Sequence, residues 1–178
     1  MTLRSRPPSP YDLLPEVPSL TLESDDIAEG QPLSMDQVYD QAGFSGGNIS
    51  PHLRWSGTPA DTGSFAVTCY DPDAPTGSGF WHWVLFDIPA SVTELPRGAG
   101  GGEGLPAGAV HVRNDAGSKD FAGAFPPKGD PPHRYLFAVH AVDGEKLGPD
   151  AGASCAVVGF HLTFHSLARG VITATYGH

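Results

Sequence analysis

The chain has 178 residues, 39% of them hydrophobic, which fits about one domain with a core of its own. Its 10 Lys and Arg against 20 Asp and Glu give a formal net charge of -10. The basic residues are scattered and form no stripe for a phosphate backbone, so nucleic acid is excluded as a partner. No apolar run approaches the ~20 residues of a membrane span, and "MTLRSRPPSPYDLLPEVPSL" has no apolar signal region, so a cytoplasmic protein is expected.

In chain order, residues 1–16 are a proline-rich polar arm, expected to be disordered or packed on a neighbouring molecule, and residues 17–178 form the domain. "SFAVTCY" (64–70), "WHWVLFDI" (81–88), "GAVHVRN" (108–114) and "YLFAVHAV" (135–142) alternate or run apolar, with β-branched and aromatic residues dominating, and are predicted as the central strands. With 18 prolines and 23 glycines between and around them, the connections should be irregular and the fold mostly β. Residues 153–169 place Val158, Leu162 and Ser166 on one stripe and Phe160, Phe164 and Leu167 on another, an amphipathic helix stopped by Gly170. "VITATY" (171–176) is the last predicted strand. Cys69 and Cys155 lie far apart in apolar runs and read as buried free thiols rather than a disulfide.

Several motifs offer chemistry without its context. "GFSGG" (43–47) spells a nucleophile elbow around Ser45, but a polar segment precedes it and Pro51 follows, so neither strand nor helix flanks it. The glycine-rich "RGAGGGEGLPAG" (97–108) supplies no G-x-G-x-x-G, and no G-K-[ST] follows any glycine loop. Asn48, Ile49 and Ser50 form a glycosylation sequon without a secretion signal to use it. His161 and His165 have the i, i+4 spacing of metal ligands but lack the glutamate of H-E-x-x-H, which favours structural histidines. No metal and no cofactor are expected.

"CYDPDAPTGSGFWHWVLFDIP" (69–89) is different. Asp71 and Asp73 flank Pro72, Pro75 closes the turn, and His82 enters a strand between two tryptophans. Carboxylates this close raise each other's pKa, and the prolines restrict the preceding backbone. An ordinary polar aspartate-proline turn is the plain alternative. A second loop, "FPPKGDPPHRYLF" (125–137), also ends in a histidine at the mouth of a core strand, which points to two loops building one site.

"NISPHLRW" (48–55), "DPDAPTGSGFWHWV" (71–84) and "PPKGDPPHRY" (126–135), in this order, resemble the phosphatidylethanolamine-binding protein family, which includes the Raf kinase inhibitor proteins; the resemblance spans about residues 17–176. The short loop between Pro75 and Trp81 resembles the bacterial-type branch. The resemblance implies a β-sandwich with a large central antiparallel sheet, a smaller sheet and a C-terminal helix. It also implies an anion pocket of Asp71, Asp73, His82, Pro127, His133 and Tyr135 walled by Phe80 and Trp81, with cis peptide bonds before Pro72 and Pro75. The ligand implied is a small anion, phosphate or a phosphoethanolamine-like phospholipid headgroup. A kinase or protease inhibited through the surrounding loops is the protein partner the family suggests, and a homodimer clasped by the arm is a further expectation. Phe125 stands where the family carries glycine and should narrow the pocket or swing outward. The alternative is a hydrolase using the Asp and His pair for acid–base chemistry. With no nucleophile, metal triad or cofactor motif beside them, a binding protein rather than an enzyme is expected.

Overall fold

Runs in which odd and even positions are both apolar demand a sheet covered on both faces. A computed structural model, describing residues 5–178, has that arrangement. The large sheet is antiparallel throughout and contains β3 (Ser64–Asp71), β4 (Phe80–Pro89), β6 (Val110–His111), β7 (His133–Val142) and β8 (Ser166–Tyr176) in the order β6-β4-β3-β7-β8. A small antiparallel sheet, β1 (Thr21–Glu23), β2 (Leu53–Ser56) and β5 (Glu94–Leu95), covers one face. Odd positions of β3 and β7, among them Phe65, Val67, Phe137 and Val139, join Leu53 and Trp55 of the small sheet in the main core. Ala66, Val84 and Phe86 face the other way, onto Val158 and Leu162 of helix α1 (Cys155–His165).

Three predicted elements change shape. The helix begins at Cys155, where the Ser154 hydroxyl caps Val157 N–H, and ends at His165. Residues 166–169 already belong to β8, so Gly170 is no helix stop: a Cβ there would lie 2.9 Å from the Leu22 Cβ, and glycine lets the chain of Leu20 and Leu22 pass close to β8. The strand predicted over 108–114 pairs only at Val110 and His111, on the sheet's edge. Beyond it the Asn114 side chain donates to the Asp120 carbonyl (2.8 Å) and its N–H bonds to the Ser118 carbonyl (2.8 Å), which ends regular pairing, although Asp115 N–H still reaches the Trp81 carbonyl of β4 (3.0 Å).

Of the arm expected over residues 1–16, residues 1–4 lie outside the described residues, and residues 5–16 lie on their own chain. Arg6 donates to the Pro132 carbonyl (2.8 Å) and Arg134 to the Pro7 carbonyl (2.6 Å). Tyr11 packs against His140 and Arg169 on the helix-facing side of the large sheet. Pro7 and Pro8 have no N–H for a backbone ladder, which leaves the Pro7 carbonyl available to Arg134, before a 3-10 turn over Pro10–Asp12 takes up the carbonyls of Ser9 and Pro10. Among the described residues, no helix is long and apolar enough to cross a membrane. Cys69 and Cys155 are buried free thiols on opposite faces of the large sheet.

Candidate functional site

β3 stops at Asp71 because Pro72 has no N–H to continue the ladder. The Asp71 carboxylate then organises the turn: Oδ1 accepts from the N–H groups of Asp73 (2.8 Å) and Ala74 (3.1 Å), leaving Oδ2 for His133 Nδ1 (2.7 Å). Every described peptide bond is trans, so the expected cis bonds are absent and this side-chain turn provides the bend. Gly79, at φ 65°, completes the return, since a Cβ there would meet the Tyr70 hydroxyl at 2.3 Å.

His82 is placed by a bulge. Cys69 pairs with Trp83 and Tyr70 with Trp81, so β4 carries one residue more than β3 at this point, and His82 is the extra one. Its consequence is that His82 and Trp83 point to the same face, toward the main core, while Trp81 points to the helix side and packs on Tyr70 at 4.6 Å between ring centroids. Strict alternation would have set Trp81 and Trp83 together. His82 Nδ1 donates to the Ala122 carbonyl (2.8 Å), which fixes Nε2 as the lone-pair nitrogen of the neutral ring. Burial pulls the His82 pKa below the usual value, against the opposing pull of that carbonyl and of Asp71.

His133 opens β7 and is buried between two carboxylates, with Asp71 on Nδ1 and Asp130 Oδ2 on Nε2 at 3.3 Å. Burial lowers its pKa, but the Asp71 bond and charge, with Asp130 and Asp73 behind them, outweigh that and hold it above the usual value. Both ring nitrogens face acceptors, so the geometry suits the imidazolium. Tyr135, two residues on and on the same face, lies edge-on to His82 at 5.1 Å. Its buried hydroxyl has no partner among the described residues, and burial, with the Asp71 charge nearby, pushes its pKa up. Phe80 packs on His82 (4.8 Å), and Phe125 lies edge-on to both Phe80 (5.2 Å) and His82 (5.7 Å) while stacking on Tyr39 (4.7 Å). Of the two courses open to Phe125, the structure takes the narrowing one.

The eight expected site residues therefore divide. Asp71, His82, His133, Tyr135 and Phe80 come together around the junction of β3, β4 and β7. Trp81 lies on the opposite face. Asp73 is turned away, gripping the Arg134 guanidinium (2.8 and 2.9 Å) and N–H (2.8 Å), which holds its pKa down despite burial. Pro127 is exposed in the second loop, where its carbonyl receives Asp130 N–H at 3.2 Å. Two contributors escaped sequence reasoning. Asp130 had a legible signal, its i, i+3 spacing to His133. Asn48 acts at a distance: its side chain accepts from Gly123 N–H (2.7 Å) and donates to the Phe121 carbonyl (3.4 Å), fixing the segment that presents Ala122 to His82. Elsewhere Ser45 sits exposed in a loop, and His161 and His165 stack at 6.1 Å with His165 bound to Asp143.

Comparison with known proteins agrees with this architecture. Residues 23–177 match the family model for phosphatidylethanolamine-binding protein. The Escherichia coli UPF0098 protein YbhB is 51% identical over 158 residues, covering 88% of this chain and 99% of its own. The crystal structure of E. coli YbcL, titled a new member of the mammalian PEBP family, superposes with a TM-score of 0.87 at 49% identity, over 90% of this chain and 99% of that one. A putative phosphatidylethanolamine-binding protein homolog from Chlamydia trachomatis superposes with a TM-score of 0.75 at 25% identity, over 90% and 98% of the two chains. With its second and third motifs meeting at one junction of the large sheet and these relatives at full length, the chain belongs to the phosphatidylethanolamine-binding protein family, in its bacterial-type branch.

Proposed function

We propose that the chain is a binding protein for small phosphate-bearing anions, the phosphoethanolamine headgroup among them. The observation that carries this reading is the buried Tyr135 hydroxyl without a partner among the described residues, beside His82 and two residues along β7 from His133. A buried donor left unmatched costs about 1–3 kcal/mol, and an anion oxygen at the junction satisfies it. The His133 imidazolium supplies the charge. For its Nε2–H to reach an anion, Asp130 must give way, and Asp130 is suited to do so because its side chain is 35% exposed in a proline-glycine loop. Once displaced, its carboxylate is free to receive the ammonium of phosphoethanolamine. Ligand entry thereby changes the charge displayed by the second loop, the surface a kinase or protease partner would meet.

Calorimetric titration with phosphate and phosphoethanolamine tests the reading. His133→Ala should weaken binding by about 1.5–3 kcal/mol, as for a charge-assisted bond, and His82→Ala by about 0.5–1.5 kcal/mol, because its Nε2 lone pair accepts only from a protonated phosphate oxygen, while His161→Ala should not. Equal binding by all four proteins would refute the site. The same proteins assayed against phosphomonoesters, phosphodiesters and carboxylic esters should show no turnover. Turnover abolished by His133→Ala would replace the binding reading with the hydrolase one.

A further inference from the structure

A cavity lies on the face of the large sheet opposite the Asp71, His82 and His133 junction, between α1, the sheet and the N-terminal arm, with a volume of about 230 Å³. Tyr70, Trp81 and Leu162 give it apolar walls, and Pro10, Tyr11 and Leu14 of the arm roof it. At one end His140 and Arg169 stand side by side as direct cross-strand neighbours on β7 and β8. Ser166 Oγ–H donates to the Leu162 carbonyl (2.6 Å), so the hydroxyl oxygen accepts from His140 Nδ1 (3.1 Å), and Nε2 must carry the lone pair. That nitrogen is buried and has no partner among the described residues. Burial, reinforced by the Arg169 charge, pushes the His140 pKa down to about 3, so the acceptor stays unprotonated.

Arg169 is unmatched in the opposite sense. Its Nε is buried without a partner among the described residues, and its guanidinium carbon lies 4.6 Å above the Tyr11 ring. The arginines in ion pairs among the described residues are Arg6, Arg54, Arg97 and Arg134, not Arg169. A half-buried cation and a buried acceptor at the end of an aromatic slot define complementary chemistry: an anionic group for Arg169, a hydroxyl for His140 Nε2 and a flat apolar body along Tyr70 and Trp81. The volume is below the ~300–1,000 Å³ of sites for drug-sized molecules, which limits the occupant to a compact one.

We propose that this cavity is a second ligand site, separate from the anion site, for a compact aromatic monocarboxylic acid that carries a hydroxyl group. The arm serves as its roof, so the segment that precedes the family match becomes part of a binding site.

Mandelate is a suitable probe, with benzyl alcohol as its uncharged counterpart, followed by calorimetry and by tryptophan fluorescence, which Trp81 should report. Mandelate should bind with millimolar or tighter affinity, and benzyl alcohol more weakly. Arg169→Gln should weaken mandelate about ten- to hundredfold, the span for a hydrogen bond to a charged group. Gly159→Leu should abolish binding, since even a Cβ at that position lies 3.5 Å from the Trp81 ring and the longer side chain projects into the cavity. Leucine is the better helix former, so this variant should fold and decides the matter if Arg169→Gln does not. Mandelate binding that persists unchanged in Gly159→Leu, or no binding by the wild-type protein, overturns the proposal.

Discussion

Asp71→Asn separates the structural work of the site from its charge. The carboxylate accepts three hydrogen bonds, from Asp73 N–H, Ala74 N–H and His133 Nδ1. An asparagine can still offer its carbonyl oxygen to the two loop N–H groups, but its amide then faces His133 as a donor and requires a lone pair on Nδ1. The imidazolium is no longer accommodated. Loss of one charge-assisted bond in this buried setting costs about 1.5–3 kcal/mol, which for a chain of this size is about 3–12 °C in Tm. The sign with pH follows from linkage. The folded pKa of His133 is raised, so its contribution is fully present below the unfolded value of about 6.5 and is lost as pH rises through the folded one. Urea unfolding of both proteins should therefore give the largest difference near pH ~6 and a smaller one near pH ~9. A difference that is constant across that range, or larger at the alkaline end, would refute the assignment of a charged His133 bound to Asp71.

Asp130→Asn removes the carboxylate that occupies His133 Nε2; calorimetry should show tighter phosphate binding, and the preference for phosphoethanolamine over phosphate should shrink as the ammonium acceptor is lost. Phe125→Ala uncovers His82 and should admit bulkier phosphodiesters that the wild-type protein binds more weakly. Because the ring is only half-buried, the stability cost in urea should be about 2 kcal/mol, below the 3–5 of a full core phenylalanine. Burial pushes Cys155 up to about 12 and Cys69 well above its usual value, so neither thiol should react with a disulfide reagent at neutral pH until the protein is unfolded, when both should.

The four longest elements of the large sheet and the helix were legible because burial on two faces writes continuous apolar runs, as in "SFAVTCY" and "YLFAVHAV". Boundaries failed where one periodicity hands over to another without punctuation: "HSLARG" continues the apolar spacing of α1 although β8 begins at Ser166. The edge strand β6 failed for a different reason, since "GAVHVRN" has strand composition but Asn114 bonds its own loop instead. Within the site, Asp71, His82 and His133 could be found from loop motifs. The separation of Trp81 from Trp83 could not, because it depends on a pairing register with β3 that "FWHWV" does not encode locally. Asp73 stands apart from Asp71, His82 and His133 for a similar reason: its partner, Arg134, is 61 residues away, and only the fold shows that the neighbouring aspartates hold different partners.

Tyr135→Phe puts the central claim to its most direct test, because it deletes one oxygen atom and separates stability from binding. That hydroxyl is buried without a partner among the described residues, so without added ligand the variant should unfold at the same urea concentration as the wild-type protein or a higher one. With phosphate or phosphoethanolamine as titrant, the same variant should bind roughly tenfold more weakly, the upper range for one neutral hydrogen bond. Retained stability together with unchanged affinity would mean that the hydroxyl never meets a ligand, and would contradict an anion site at the junction of Asp71, His82 and His133.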